Sequence, residues 1–170
     1  MNKEKLFRVL GDNQSHRSYH LQKKTYASGE TVAKENNQQE NILFLTSDPD
    51  VLYVPAYAAA FAFDTETTVF ELSLPGKSKS MPQPDNPASP FYLTGDACFY
   101  NFMARKIKVN ETISFYHKKG TDFLWLLSGN ITLEADGQQQ KMEKNQLVLI
   151  EKNDTAYEIA GNGEIFLLKL

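Results

Sequence analysis

The stretch from His117 to Leu170, which reads HKKGTDFLWLLSGNITLEADGQQQKMEKNQLVLIEKNDTAYEIAGNGEIFLLKL, decides the fold. Short apolar runs alternate there with turn signals rich in Gly, Asn and Asp. The runs are 121–127, 130–134, 146–150, 156–159 and 164–170, and the turn signals are Ser128-Gly129, Asp136-Gly137, Lys152-Asn153-Asp154 and Gly161-Asn162-Gly163. Strands of this length with frequent turn signals are typical of a β-sandwich or β-barrel.

Composition describes an ordinary globular chain. Its 170 residues carry 23% charged and 41% hydrophobic side chains with a formal net charge of −3. No run of Lys and Arg is longer than two residues, so nucleic acid is not an expected partner. We see no signal peptide, and the longest apolar segment, 54–63, is too short to span a bilayer. The expectation is a cytoplasmic protein without a membrane partner.

Periodicity divides the rest of the chain. Leu6, Val9 and Leu10 share one face of a helix over residues 2–10, which Gly11 would end. Strands are predicted at 19–26, 42–46, 51–54, 58–74 with a turn at 64–66, 99–109 and 112–117. A proline-rich surface loop covers 75–90. The single cysteine, Cys98, is predicted to be a buried strand thiol, and Trp125 a core residue.

An internal similarity suggests that one β-module occurs twice. Residues 61–72 have the outline of 124–135, and 91–99 the outline of 157–165. Chance similarity is the alternative, because the identities are few. The predicted organisation is an N-terminal helix and turn at 1–19, a first module at 20–106 and a second at 107–170.

The order of strands and turns over residues 112–170 resembles the cupin superfamily. The resemblance implies an all-β fold of two cupin-like barrel modules, that is, jelly rolls or double-stranded β-helices. Metal-binding cupins carry three His and one Glu, which suit iron, manganese or zinc. At the first motif this chain has only His117 beside Lys118 and Lys119, and at the second it has no His. We therefore expect no metal ligands and no cofactor.

Three further segments resemble the HutD/Ves family of two-module cupins. They are Tyr26-Ala-Ser-Gly-Glu-Thr-Val32, Val54-Pro-Ala-Tyr57 and Phe99-Tyr-Asn-Phe-Met-Ala-Arg-Lys106. The chain departs from the family pattern at Ala56, where Gly is usual, and at Phe99, where Asp is usual. The resemblance extends over residues 25–170 and implies a regulatory role rather than a named reaction.

The candidate ligand site follows from strand alternation. Asn101, Met103 and Arg105 would point to one side, where the Arg guanidinium suits a carboxylate. A solvent-facing Arg paired with a surface acid is the alternative. His117 shares a strand face with Ile113 and Phe115, at the end of an apolar wall.

Two residues outside that strand complete the candidates. Tyr57 is a phenol for the rim of a pocket, and Glu30 is either a pocket carboxylate or a loop carboxylate. No catalytic motif is present in the sequence, so no catalytic residue is assigned.

The sequence therefore predicts a metal-free cupin-type protein that binds a small molecule, with an anionic carboxylate as the expected ligand. One alternative is a metal-dependent isomerase or oxygenase of the cupin type. Another is a stand-alone sensory domain that acts with a transcription regulator. Edge strands of such sheets often pair between chains, so a homodimer is the candidate assembly.

Overall fold

The computed structural model describes residues 4–16, 19–32, 39–47, 50–55, 61–74, 90–98 and 102–170. All regular secondary structure in these ranges is β-strand. The strands in chain order are β1 Arg8–Val9, β2 Asn13–His16, β3 Tyr19–Tyr26, β4 Thr31–Val32, β5 Glu40–Leu45, β6 Val51–Val54, β7 Phe61–Ala62, β8 Thr67–Leu74, β9 Phe91–Tyr92, β10 Ala97–Cys98, β11 Met103–Val109, β12 Ile113–His117, β13 Asp122–Ala135, β14 Gln138–Lys141, β15 Leu147–Ile150 and β16 Thr155–Lys169. The predicted all-β class is confirmed. No helix long and apolar enough to cross a membrane occurs in the described ranges.

The chain forms two compact units. Unit 1 consists of Met1–Leu10 and Gly95–Leu170, and unit 2 of Gly11–Thr94. The junction predicted after residue 106 falls inside β11, which continues across that position.

Unit 2 contains a six-stranded antiparallel sheet in the order β2-β3-β8-β5-β6-β9, and a separate pair, β4-β7. Strands β3 and β6 have the bounds that the sequence predicts. Side chains of β3, β5, β6 and β8 form an apolar core that includes Tyr26, Leu43, Leu52 and Val69.

Unit 1 is built on two long strands, β13 and β16, which pair with each other along nearly their whole length. The sheet order is β1-β15-β13-β16-β11-β10, with β12 added to β16 and β14 to β13. The first half of β13 pairs with β15, and its second half pairs with β14. Residues from both halves contribute to one apolar core, which includes Leu124, Leu133, Ile159 and Leu167.

Two predicted turns are in fact positions inside these strands. Ser128-Gly129 and Gly161-Asn162-Gly163 lie opposite each other, with Gly129 paired to Gly163 and a bulge between Leu126 and Ser128. A Cβ on Gly129 would stand 2.1 Å from the carbonyl oxygen of Asn162, and its φ is +85°. The glycines therefore serve a close crossing of two backbones rather than a chain reversal.

The predicted N-terminal helix is also wrong for the described residues 4–10. Arg8 and Val9 pair with Leu149 and Val148 of β15, and the Leu10 amide donates to the Leu147 carbonyl at 2.9 Å. So short a helix is marginally stable on its own. The exposed edge of β15 offers hydrogen bonds that override the local periodicity, while Leu6 and Phe7 enter the core.

Two single-residue predictions have opposite outcomes. Trp125 is fully buried, which confirms its place in the core. Cys98, predicted to be buried, is exposed because β10 lies at the edge of the sheet. The predicted loop at 75–90 lies outside the described residues except for Pro90.

Candidate functional site

A buried carboxylate lies at the centre of a polar group in unit 1. Asp122, the first residue of β13, is 1% exposed. Its Oδ1 lies 3.0 Å from Nδ1 of His117, and its Oδ2 accepts from Nζ of Lys169 at 3.0 Å. The Tyr157 hydroxyl also donates to Oδ2, at 3.2 Å. We call these four residues the Asp122 cluster.

Strand alternation places the cluster on the core-facing side of unit 1. Asp122 alternates along β13 with core residue Leu124, and Lys169 along β16 with core residue Leu167. The cluster therefore occupies one end of the same interior that the apolar side chains fill.

The connection from β12 to β13 brings His117 and Asp122 together. His117 is the last residue of β12, and four residues separate it from Asp122. Gly120 in this connection has a φ of +91°, and a Cβ there would stand 2.3 Å from the Leu170 carbonyl oxygen. The Leu170 amide in turn donates to the Thr121 carbonyl at 2.9 Å. A glycine is required where the connection passes this close to the end of β16.

Arg105 extends the polar group toward solvent. It alternates along β11 with core residue Ile107, and its guanidinium carbon lies 5.8 Å from the ring centroid of Phe115. Phe115 stacks on Tyr157 with the ring centroids 5.7 Å apart. The Arg105 guanidinium also reaches the exposed carboxylate of Asp96 at 3.9 Å. Arg105, Phe115 and Tyr157 thus lead from the surface to Asp122.

Sheet register also places four residues in one row. Cys98 pairs with Met103, Met103 with Lys169, and Lys169 with Asp122. Directly paired residues project from the same face of a sheet. Cys98 and Met103 are exposed, Lys169 is partly exposed and Asp122 is buried, so the row runs from solvent into the cluster.

The structure gathers three of the six sequence-predicted site residues in this region. Met103 and Arg105 lie on the core-facing side of β11, as the alternation requires, and His117 joins Asp122 directly. Asn101 and Tyr57 lie outside the described residues. Glu30 is an exposed residue of unit 2 whose Oε2 accepts from the Ala27 amide at 2.9 Å, the geometry of a loop carboxylate.

Sequence reasoning missed Asp122, Tyr157 and Lys169. Each lies in a strand in which every second residue is a core residue. The available signal was therefore a polar residue at a position where the alternation predicts a core-facing side chain. Asp122 lies inside the predicted strand run 121–127, and nothing in that run marks its carboxylate as part of a site. Its partners come from strands that are distant in sequence, which no local pattern reveals.

The cluster does not fit a divalent metal ion of the kind that metal-binding cupins hold. It contains one imidazole and one carboxylate, and the ammonium of Lys169 already occupies one carboxylate oxygen. In the described part of the chain, no three His, Cys, Asp or Glu side chains come close enough together to hold a metal. A cation would meet the Lys169 charge and too few ligands.

Unit 2 also contains buried carboxylates, and each has its own partners. Glu71 accepts from Gln22 at 3.2 Å and from the Tyr26 hydroxyl. Glu40 accepts from the Tyr53 hydroxyl at 3.0 Å. These pairs stabilise polar groups inside the unit.

A surface cleft of about 410 Å³ lies elsewhere on unit 1. It is lined by Glu4, Leu6, Asp136, Gln138 and Lys152. Gln138 bonds the N-terminal backbone there, accepting from the Leu6 amide and donating to the Glu4 carbonyl. The cleft is the seam between this segment and β14, and none of the predicted site residues lines it.

The buried tyrosines resist ionisation. Burial raises the pKa of Tyr157 well above its usual value, Asp122 raises it further, and Arg105 partly offsets the increase. Burial first, and then Glu71 and Glu40, raise the pKa of Tyr26 and of Tyr53 respectively. All three phenols are therefore held neutral as hydrogen-bond donors.

This predicts a loss of stability in alkali. The folded-state pKa values lie above the unfolded value of about 10, so the contribution to stability is complete below pH ~10 and is lost as the pH rises further. We expect the free energy of unfolding, measured by urea titration, to fall above pH ~10. Tyr157→Phe, which removes one of the three groups, should make that fall shallower. Equal slopes in the two proteins would contradict the assignment.

Comparisons with known proteins complete the description of the fold. No protein-family model matches the sequence, and no curated protein matches it. AerE from Microcystis aeruginosa is similar in structure, with a TM-score of 0.59 and 13% identity over 99% of this chain and 93% of that one. Salicylate 1,2-dioxygenase from Pseudaminobacter salicylatoxidans has a TM-score of 0.59 and 8% identity, covering 95% of this chain and 76% of its own. The protein Ylba from E. coli has a TM-score of 0.59 and 9% identity, covering 95% and 80%. Identities this low show a shared fold and nothing beyond it.

Proposed function

We propose that this chain is a two-module cupin of the HutD/Ves type that binds a small carboxylate, without a metal, at the Asp122 cluster of unit 1. The observation that carries the proposal is a pair of cations beside the Asp122 cluster at the end of the core. Lys169 contacts Asp122, and Arg105 lies over the Phe115 ring, which stacks on Tyr157. Two units, each with its own apolar core, support the two-module part of the proposal.

The charges of the site favour an anion. Arg105 and Lys169 contribute two positive charges, and Asp122 contributes one buried negative charge. The Asp96 carboxylate is 66% exposed and 3.9 Å from Arg105, so that ion pair is weak and the guanidinium remains available. A planar guanidinium can hold a carboxylate through two parallel hydrogen bonds.

The poor fit to a metal supports binding rather than metal-dependent isomerase or oxygenase chemistry. Elemental analysis of purified protein separates these two functions. A stoichiometric transition metal in the purified chain would contradict the proposal. A role as a sensor beside a transcription regulator is compatible with carboxylate binding and would need a partner protein.

A titration with small carboxylates tests the proposal. We expect acetate, propionate, succinate or malate to raise the melting temperature of the wild-type protein. Arg105→Ala should weaken binding by about tenfold or more, since hydrogen bonds to charged groups contribute roughly 1.5–3 kcal/mol. Arg8→Ala is the matched control, because the Arg8 side chain is also 43% exposed and also contacts a carboxylate, that of Glu151. No response in the wild type, or an equal response in Arg105→Ala, would contradict the proposal.

Cys98 provides a second readout of the same binding. It is the chain's single cysteine and lies in the row that leads through Met103 to Lys169. A bound carboxylate should slow the alkylation of Cys98 by a neutral reagent, with sodium chloride at equal ionic strength as the control. In Arg105→Ala the protection should require a correspondingly higher ligand concentration.

A further inference from the structure

The imidazole of His117 is an unusual element of the Asp122 cluster. The residue is fully buried, and neither ring nitrogen has a hydrogen-bond partner in the described part of the chain. Nδ1 lies within ion-pair distance of Asp122, but the direction between them is not that of a hydrogen bond. Native proteins rarely leave buried polar atoms unpaired, and each such atom requires an explanation.

The protonation of the His117 ring determines whether Nε2 donates or accepts a hydrogen bond. Burial disfavours the charged form of an ionisable group, and the Asp122 carboxylate already pairs with the Lys169 ammonium. A neutral imidazole carries its proton on one ring nitrogen and accepts a hydrogen bond at the other. The Asp122 carboxylate favours the proton on the nearer nitrogen, Nδ1, which leaves Nε2 with a lone pair. Nε2 is then a hydrogen-bond acceptor, and a group that pairs with it must be a donor.

We propose that the ligand of this site is a hydroxycarboxylate, whose carboxylate binds Arg105 and Lys169 and whose hydroxyl donates to Nε2 of His117. This inference rests on the proposed carboxylate-binding function and specifies its ligand class. A hydroxyl satisfies the donor requirement without adding charge. An ammonium group would also donate, but it would meet two positive side chains at the same site.

In this proposal, movement of the Lys169 side chain opens the way to the buried nitrogen. That side chain is 27% exposed and its ammonium covers Oδ2 of Asp122 in this structure. The Lys side chain is long and flexible, so its ammonium can move from Asp122 to the carboxylate of an arriving ligand and form an ion pair with it. The ligand hydroxyl would then lie next to the imidazole that Asp122 orients.

Matched pairs of acids test the proposal by calorimetry on the full chain. Lactate is compared with propionate, and malate with succinate, each pair differing by one hydroxyl. We expect the hydroxylated acid to bind the wild type about tenfold more tightly, the factor that one well-placed hydrogen bond supplies. His117→Phe should bind both members of a pair equally, and the control His20→Phe, in unit 2, should keep the preference.

The outcomes are separable. If no acid of either kind binds, the proposed function is wrong and this inference is wrong with it. If both members of each pair bind the wild type equally, the carboxylate site stands and the hydroxyl contact is overturned. A preference that persists in His117→Phe overturns the assignment to His117.

A measurement on the wild type avoids dependence on the folding of the variant. The chain has three histidines, so the ring nitrogen resonances can be assigned from single substitutions. Malate should shift the Nε2 resonance of His117 in the direction of hydrogen-bond acceptance, and succinate should not. An identical response to malate and succinate would overturn the proposal independently of any variant.

Discussion

Replacing Asp122 by alanine is expected to lower the free energy of unfolding by about 3–5 kcal/mol, the range for removing one partner of a buried ion pair. The substitution leaves the Lys169 ammonium and the Tyr157 hydroxyl without their acceptor, and it leaves the His117 imidazole without its neighbouring charge. Since Asp122 is 1% exposed, water cannot readily take its place.

The measurement is urea unfolding of the variant beside Asp96→Ala. Asp96 also faces a cation, Arg105, but it is exposed, so its removal should change stability by less than about 0.5 kcal/mol. Adding Lys169→Met to Asp122→Ala should recover part of the loss, because the uncompensated charge is then removed as well. A cost below about 1 kcal/mol for Asp122→Ala would show that the cluster is not a coupled group.

The second large effect is expected at the crossing of β13 and β16. Gly129→Ala should destabilise the protein by about 3 kcal/mol, since a positive φ and an overlap with backbone atoms each cost roughly 1–3 kcal/mol. The atom in the way is the carbonyl oxygen of Asn162, 2.1 Å from the new Cβ, which belongs to a paired strand and cannot rotate aside.

Substitutions at two other glycines separate the cost of the positive φ from the cost of the overlap with backbone atoms. Gly137 has a φ of +72° with no atom within 4 Å of a Cβ, so Gly137→Ala should cost only the conformational term of about 1 kcal/mol. Gly11 has neither a positive φ nor a close atom, and Gly11→Ala should be nearly neutral. Equal losses at Gly129 and Gly137, by thermal or urea unfolding, would show that the crossing tolerates a side chain.

How far the sequence predicts this fold depends on whether a signal is local. The alternation over 19–26 and the apolar run at 51–54 predict β3 and β6 correctly. Burial of one face of a strand gives alternating apolar residues, and burial of both faces gives a continuous apolar run. Gly161-Asn162-Gly163 has the composition of a turn but lies within β16. What decides its structure is the facing strand, in which Gly129 stands opposite Gly163.

The candidate site shows the same division. Alternation along β11 places Met103 and Arg105 on one face, and alternation along β12 places His117 beside Phe115. That these faces meet at Asp122 depends on the register of β16 with β11, β12 and β13. Register between strands distant in sequence is set by the packed core as a whole, so the convergence could be seen only in the structure.

The position of β1 has a consequence for how the chain folds during synthesis. Arg8 and Val9 are made before unit 2, whereas their partners Leu149 and Val148 follow about 140 residues later. At ribosomal rates this corresponds to a wait on the order of ten seconds. Throughout that time Leu6 and Phe7 lack the core that finally covers them, and all of Gly11–Thr94 is translated before the interval ends. The segment that precedes unit 2 in the chain can therefore pair only after unit 2 has been synthesised.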